Sequence, residues 1–154
     1  RAASQYIRAF RDPNFEMFVE GIGYEAFFEK SFRNHVDLKL IPPEERSTYI
    51  GQWSRPGALT AMLNWYRASQ LVVPPPGITV DIPDWVLRAF PRVKVPVRVV
   101  WGLEDKALLP VLLEGIGEVG VNVEVFPLKG VGHFAPWEAP QKVADALKPF
   151  LLAA

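Results

Sequence analysis

The sequence has no cysteine. That absence excludes disulfides, thiolate metal sites and a cysteine nucleophile. Histidine is scarce: the two present, His35 and His133, lie far apart in the chain, which argues against a histidine-rich metal site. Neither sign of charge is in excess, with 17 Lys plus Arg against 17 Asp plus Glu, so nothing draws the chain to nucleic acid or anionic lipid. No apolar run approaches the ~18 residues of a membrane span, and no charged segment with an apolar core opens the chain as a signal peptide does. These absences lead us to expect a cytoplasmic protein with no metal and no cofactor.

What is present is an ordinary globular balance, 49% hydrophobic and 22% charged, in 154 residues, enough for one domain with a real core. Proline is the exception: 15 of them is about twice the usual ~5%. The chain opens on "RAASQYIRAF", already helical in pattern and without a methionine, and reads as the middle of a protein.

Residues 1–72 read as helical. Ala3, Tyr6, Ile7 and Phe10 fall at helical spacing, as do Phe15, Phe18, Val19 and Ile22, until Gly21 and Gly23 weaken the pattern. Asp12-Pro13 between them reads as a helix N-cap followed by proline in the first turn. "YEAFFEKSF" (24–32) and "PPEERSTYIGQW" (42–53) are further helical pieces. "PGALTAMLNWYRAS" (56–69) is the clearest, with Leu59, Met62, Leu63 and Tyr66 on one stripe. "VVPPPGITVDIP" (72–83) cannot be helix and reads as an extended linker. Residues 73–93 form a proline-rich connection.

The pattern then changes. "VPVRVVWG" (95–102) is a short β-branched strand and "VNVEVFPL" (121–128) a second. "ALLPVLLEGIGEV" (107–119) between them looks helical, and "PQKVADALKPFLLA" (140–153) closes the chain as an amphipathic helix. Strand, helix, strand, helix predicts parallel β/α units over 94–154. Two parallel strands cannot make a stable sheet alone, so this reads as the end of a larger one, whose open edge invites an N-terminal companion or self-association into a homo-oligomer.

"GIGEVG" (115–120) matches a dinucleotide-binding pattern, but that fingerprint follows a strand and opens a helix, the reverse of the order here. A better constellation lies at the strand ends. Glu104 and Asp105 follow Gly102, and His133 lies in the loop after the second strand. In parallel sheets both loops emerge at the edge where ligands bind. Asp105 there can orient the His133 imidazole, fix its tautomer and stabilise its cation. Read singly, the acid is more often a helix N-cap or a solvated turn residue, and a histidine near an apolar turn is more often structural. His35, in polar "RNHVD", reads as a surface residue.

"WGLEDKALLP" and "GVGHFAPWEAP" resemble the acid and histidine loops of the α/β-hydrolase superfamily. "PGALTAMLNWYRAS" and "SQYIRAFRDP" resemble the segments of the epoxide-hydrolase cap that supply two tyrosines. The resemblance implies the C-terminal part of an α/β-hydrolase fold: a helical cap, or lid, over 1–72 and the last two β/α units over 94–154. It implies a carboxylate that attacks an epoxide carbon, with Tyr6 and Tyr66 holding the epoxide oxygen, and His133 with Asp105 hydrolysing the resulting ester. The substrate is then a small hydrophobic epoxide, with Trp65, Phe134, Trp137 and Phe10 toward its pocket; Trp101 is a further lining candidate. Tyr24 and Tyr49 lack such contexts and read as packing residues.

No strand here runs into G-x-S-x-G or G-x-D-x-G, the nucleophile elbow. "GQWSRPG" (51–57) comes nearest, but Ser54 stands three places after a glycine instead of two. The reading therefore expects the nucleophile and oxyanion hole in an N-terminal half, and an inactive fragment without it. Three rivals stay open. A haloalkane or fluoroacetate dehalogenase would hold halide by indole N–H groups, making Trp65 matter more than Tyr66. A serine esterase would differ at the elbow. A non-catalytic ligand-binding or interaction protein would use the same fold without turnover.

Overall fold

Turn residues and prolines divide the described residues of the first half into five α-helices: α1 (Tyr6–Phe10), α2 (Phe15–Ile22), α3 (Tyr24–Phe32), α4 (Pro43–Trp53) and α5 (Ala58–Ala68). The computed structural model describes residues 2–81, 84 and 91–152. Helices α2 and α3 meet at Gly23, whose φ of 81° suits a residue without Cβ. Its N–H closes α2 on the Val19 carbonyl, and its carbonyl accepts from Phe27 to open α3. Gly21 stays helical. Pro43 stands at the start of α4, where a missing N–H costs nothing.

Asp12-Pro13 is not the cap expected of it. The Asp12 carboxylate accepts the N–H of Asn14 at 2.8 Å, closing a local turn, and α2 begins only at Phe15. A short side chain satisfied two residues on no longer serves the helix. His35, expected at the surface, is half-buried in the turn after α3, its N–H on the Phe32 carbonyl.

The apolar stripes converge. Val19, Phe27, Leu59 and Leu63 are buried together, with Phe10, Phe15, Ile22, Tyr24, Trp53 and Met62 packed around them. Fully buried Phe28 lies against Phe32, Tyr49 and Trp53, so Tyr24 and Tyr49 are packing residues. Ion pairs tie the outside: Glu16 grips Arg67 across α2 and α5, and Arg46 of α4 reaches Glu25 and Glu29 of α3. The proline-rich stretch lies outside helix and strand from residue 70 to a turn at residues 76 and 77, and the Gln5 amide donates to the Pro74 carbonyl at 2.9 Å. The end of the expected linker (82–83) and residues 85–90 of the connection lie outside the described residues.

In the second half, β1 (Val97–Gly102) and β2 (Val123–Leu128) pair in parallel, in register from Val97 opposite Val123 to Gly102 opposite Leu128. A one-turn helix α6 (Ala135–Glu138) and a long α7 (Pro140–Leu152) follow. Arg98 of β1 donates to the Ala146 carbonyl of α7, lies over the Phe150 ring and pairs with Glu124 of β2. The crossover corrects the reading of 107–119 as a helix: it is two short 3-10 turns, Pro110–Leu113 and Ile116–Val119. Pro110 removes a helical donor, and Gly115, at φ 74°, turns the chain left-handed between them. The chain divides into two compact units, Arg1–Val80 and Asp81–Ala154. No helix among the described residues is long and apolar enough to cross a membrane.

Candidate active site

Because β1 and β2 run in parallel, the loops after Gly102 and Leu128 leave the same edge of the sheet. Backbone bonds join them: Leu103 N–H to the Leu128 carbonyl at 3.0 Å, and Glu104 N–H to the Val131 carbonyl at 2.9 Å. This approach explains Gly102. A Cβ there would stand 2.2 Å from the Gly132 carbonyl oxygen and 2.5 Å from that of Val131, so any larger residue would force the loops apart.

The two carboxylates after Gly102 part ways. Glu104 is exposed, whereas Asp105 is the buried charged side chain of the core, 7% exposed. Its Oδ2 lies 2.8 Å from His133 Nδ1. Its Oδ1 accepts the N–H groups of Ala107 and Leu108, both at 2.8 Å. A carboxylate facing Nδ1 favours the tautomer with the proton on that nitrogen, leaving Nε2 as a base. The imidazole is 28% exposed, enough for a water or substrate to reach it. Phe134 sets its edge against the imidazole at 4.8 Å, and Trp137 tilts onto Phe134 at 5.3 Å. Glu138, which the sequence did not single out, accepts the N–H groups of Gly132 at 2.7 Å and Phe134 at 3.0 Å. The only sequence signal for it was an acid five places after the histidine.

The helical unit brings its two tyrosines together. Tyr6 on α1 and Tyr66 on α5 lie 5.8 Å apart between ring centroids, at 85°. Phe10 is wedged beside both, 5.4 Å from Tyr6 and 4.9 Å from Tyr66. Burial pushes the Tyr66 phenol above its ordinary pKa, and neighbouring Tyr6 adds to the shift, so the group stays a proton donor. Arg11, also missed in the sequence, donates to the carbonyls of Tyr66 at 2.8 Å and Ser69 at 2.9 Å, tying α1 to the end of α5. Arg67 holds both Glu16 oxygens at 2.6 Å. Trp65 stands off the buried stripe at 79% exposure. Trp101 lies in β1 opposite Pro127, with its indole N–H buried and without a partner among the described residues. Among the described residues, no group of three or more His, Asp or Glu converges as a metal site.

No family model matches the chain. Across 112 residues, 73% of the chain, it is 31% identical to the AB hydrolase superfamily protein YfhM of Bacillus subtilis, covering 35% of that protein. It is 29% identical over 117 residues to mouse epoxide hydrolase 3, covering 72% of this chain and 27% of that one. Among solved structures it resembles one described as novel epoxide hydrolases of the α/β-hydrolase superfamily in metagenomes from hot environments. The TM-score there is 0.76 at 36% identity, over 97% of this chain and 50% of the other. The chain thus spans about half the length of that structure and about a third of the curated relatives. Helices followed by two parallel strands are, as the sequence led us to expect, the C-terminal part of an α/β-hydrolase fold. The chain belongs to the α/β-hydrolase superfamily, and its relatives and structural neighbours include epoxide hydrolases.

Proposed function

We propose that the chain is part of a cofactor-independent epoxide hydrolase and supplies its base, its orienting acid and its two proton donors. A carboxylate nucleophile, contributed by an N-terminal half, attacks one epoxide carbon. A new C–O ester bond forms, the epoxide C–O bond breaks, and the alkoxide takes a proton from Tyr6 or Tyr66. A phenol, with pKa near ~10, is acidic enough to hydrogen-bond the oxygen and then protonate it. His133 Nε2 next takes a proton from water, and the hydroxide attacks the ester carbonyl. The carboxylate is released and the product is a vicinal diol. Asp105 holds the imidazole and stabilises the cation formed. The imidazolium returns its proton, through solvent, to the tyrosinate. In this reading residues 1–72 are the cap, 73–93 the connection and 94–154 the core.

What supports epoxides in particular is the meeting of two phenols from separate helices, rings 5.8 Å apart, in a chain that also pairs Asp105 with His133. One phenol at a core position needs no reaction to explain it. Two presented together form a two-donor grip on a single oxygen. A halide leaves without needing a proton, so a dehalogenase does not require the pair as acids.

The test uses Tyr6→Phe, Tyr66→Phe and the double variant in the hydrolase assembled with its nucleophile. Each substitution removes one hydroxyl and leaves the ring packing in place. A lone oxyanion-type donor contributes ~3–4 kcal/mol; each single variant should lose less, because a partner survives, and the double should lose at least that much. Ring opening is measured by rapid-quench detection of the ester, with haloalkane turnover alongside. A double variant that opens epoxides at the wild-type rate ends the reading.

A further inference from the structure

Resting on the role given to His133 above, we propose that Glu138 is the positioning residue of the catalytic histidine. Its carboxylate oxygens are divided between the residues on either side of His133: Oε2 takes the N–H of Gly132 at 2.7 Å and Oε1 that of Phe134 at 3.0 Å. The histidine is thereby held by its backbone on both flanks. Asp105 holds the same residue by one ring nitrogen. Asp105 sets the ring from Nδ1, and the position of Nε2 depends also on where the backbone sets Cα.

The Glu104 N–H on the Val131 carbonyl anchors the start of the loop, and Glu138 fixes the stretch that carries the histidine. Helix α6 has four residues, too few to persist by its own hydrogen bonds. Its turn closes on Phe134, whose carbonyl accepts from Trp137 at 2.8 Å and Glu138 at 3.0 Å. The Glu138 side chain reaches back across this turn, so the one-turn helix and the histidine loop brace each other. Both bonds join an N–H to an ionised carboxylate, the stronger class of hydrogen bond. Glutamine offers one acceptor oxygen, and its amide would turn a donor toward the other N–H. One bond is lost and a donor faces a donor.

Glu138→Gln should therefore slow hydrolysis of the ester by ~10- to ~100-fold through misplacement of the base. Ring opening, which does not use the histidine, should keep its rate, so covalently attached substrate accumulates. The Nδ1–H proton resonance of His133 should be sharp in the unaltered chain and broadened in the variant, a readout independent of turnover. In a His133→Ala background, Glu138→Gln should have no further effect on ester hydrolysis. An additional loss there, or equal slowing of both steps, would show a merely structural role and overturn the proposal. Normal ester hydrolysis in Glu138→Gln beside a dead His133→Ala would also overturn it. Normal turnover in His133→Ala would instead remove the role of His133 itself. Should Glu138→Gln fail to fold, amide exchange in the unaltered chain decides: the Gly132 and Phe134 amides must be protected, and exchange at free-peptide rates sinks the idea.

Discussion

In the helical unit Tyr66 sits on a stripe with buried Leu63 and against Phe10, which packs on the core of Val19, Phe27, Leu59 and Leu63. In the second unit His133 is set by the Asp105 carboxylate and by the Glu138-bound amides on either side of it, with Phe134 against the ring. Among the described residues the buried hydrophobics there are Leu128, Val131 and Ala146, with charged Asp105 beside them, while Val121, Val125 and Phe126 stay exposed. One pair of candidate groups is placed by apolar packing, the other by hydrogen bonds between loops. The difference has a consequence for mutagenesis. Trimming what places the tyrosines should cost stability first, whereas trimming what places the histidine should cost chemistry first.

The largest effect that would sharpen this contrast is expected from Asp105→Asn. Ester hydrolysis should fall by about 10⁴-fold, with the melting of the helical unit unchanged; calorimetry beside single-turnover kinetics checks both. A variant that melts early without a kinetic defect would erase the distinction. Phe28→Ala should do the opposite. Emptying a fully buried aromatic site should cost ~3–5 kcal/mol, read as lost amide protection across α3 and α4, with the Asp105–His133 pair intact by its imidazole proton resonance. The smallest effect concerns Glu16. Its hydrogen bonds with Arg67 hold the carboxyl at a pKa of about 2. Folded below unfolded means that the stabilisation is present above the ordinary carboxylate pKa of ~4.3 and fades as pH falls toward 2. Both side chains are about a quarter exposed, so solvent screening limits the gain to within ~1 kcal/mol. Glu16→Gln should lower the melting temperature slightly at neutral pH and by nothing near pH 2, and a deficit that persists in acid would point to packing instead.

How much of this was legible depended on how local the cause was. The stripe of α5 and the β-branched strands announced themselves, because periodicity and side-chain shape act within a few residues. Helix α3 fell on its expected bounds since a glycine opens it. The crossover misled: 107–119 is rich in leucine, and the alternating effects of Pro110 and Gly115 outweighed that propensity. Asp12 misled for a similar reason, being spent on a turn. Asp105 and His133 could be paired in advance because parallel strands bring their trailing loops to one edge. Gly102 and Glu138 could not, since one answers to a backbone oxygen thirty residues on in the other loop and the other to a fold-back across a single turn.

The two amides on Asp105 Oδ1 have one more consequence, which concerns symmetry. A carboxylate looks the same when its oxygens are exchanged, so aspartate can satisfy both the loop and the imidazole without choosing. An asparagine at the same place has two unlike ends. The N–H groups of Ala107 and Leu108 would claim its oxygen, and its NH₂ would be turned upon Nδ1. The imidazole could then only accept there, its proton would move to Nε2, and the face meant to receive a proton would already carry one. The turn that anchors the acid thus also dictates that only a group with interchangeable ends can serve there.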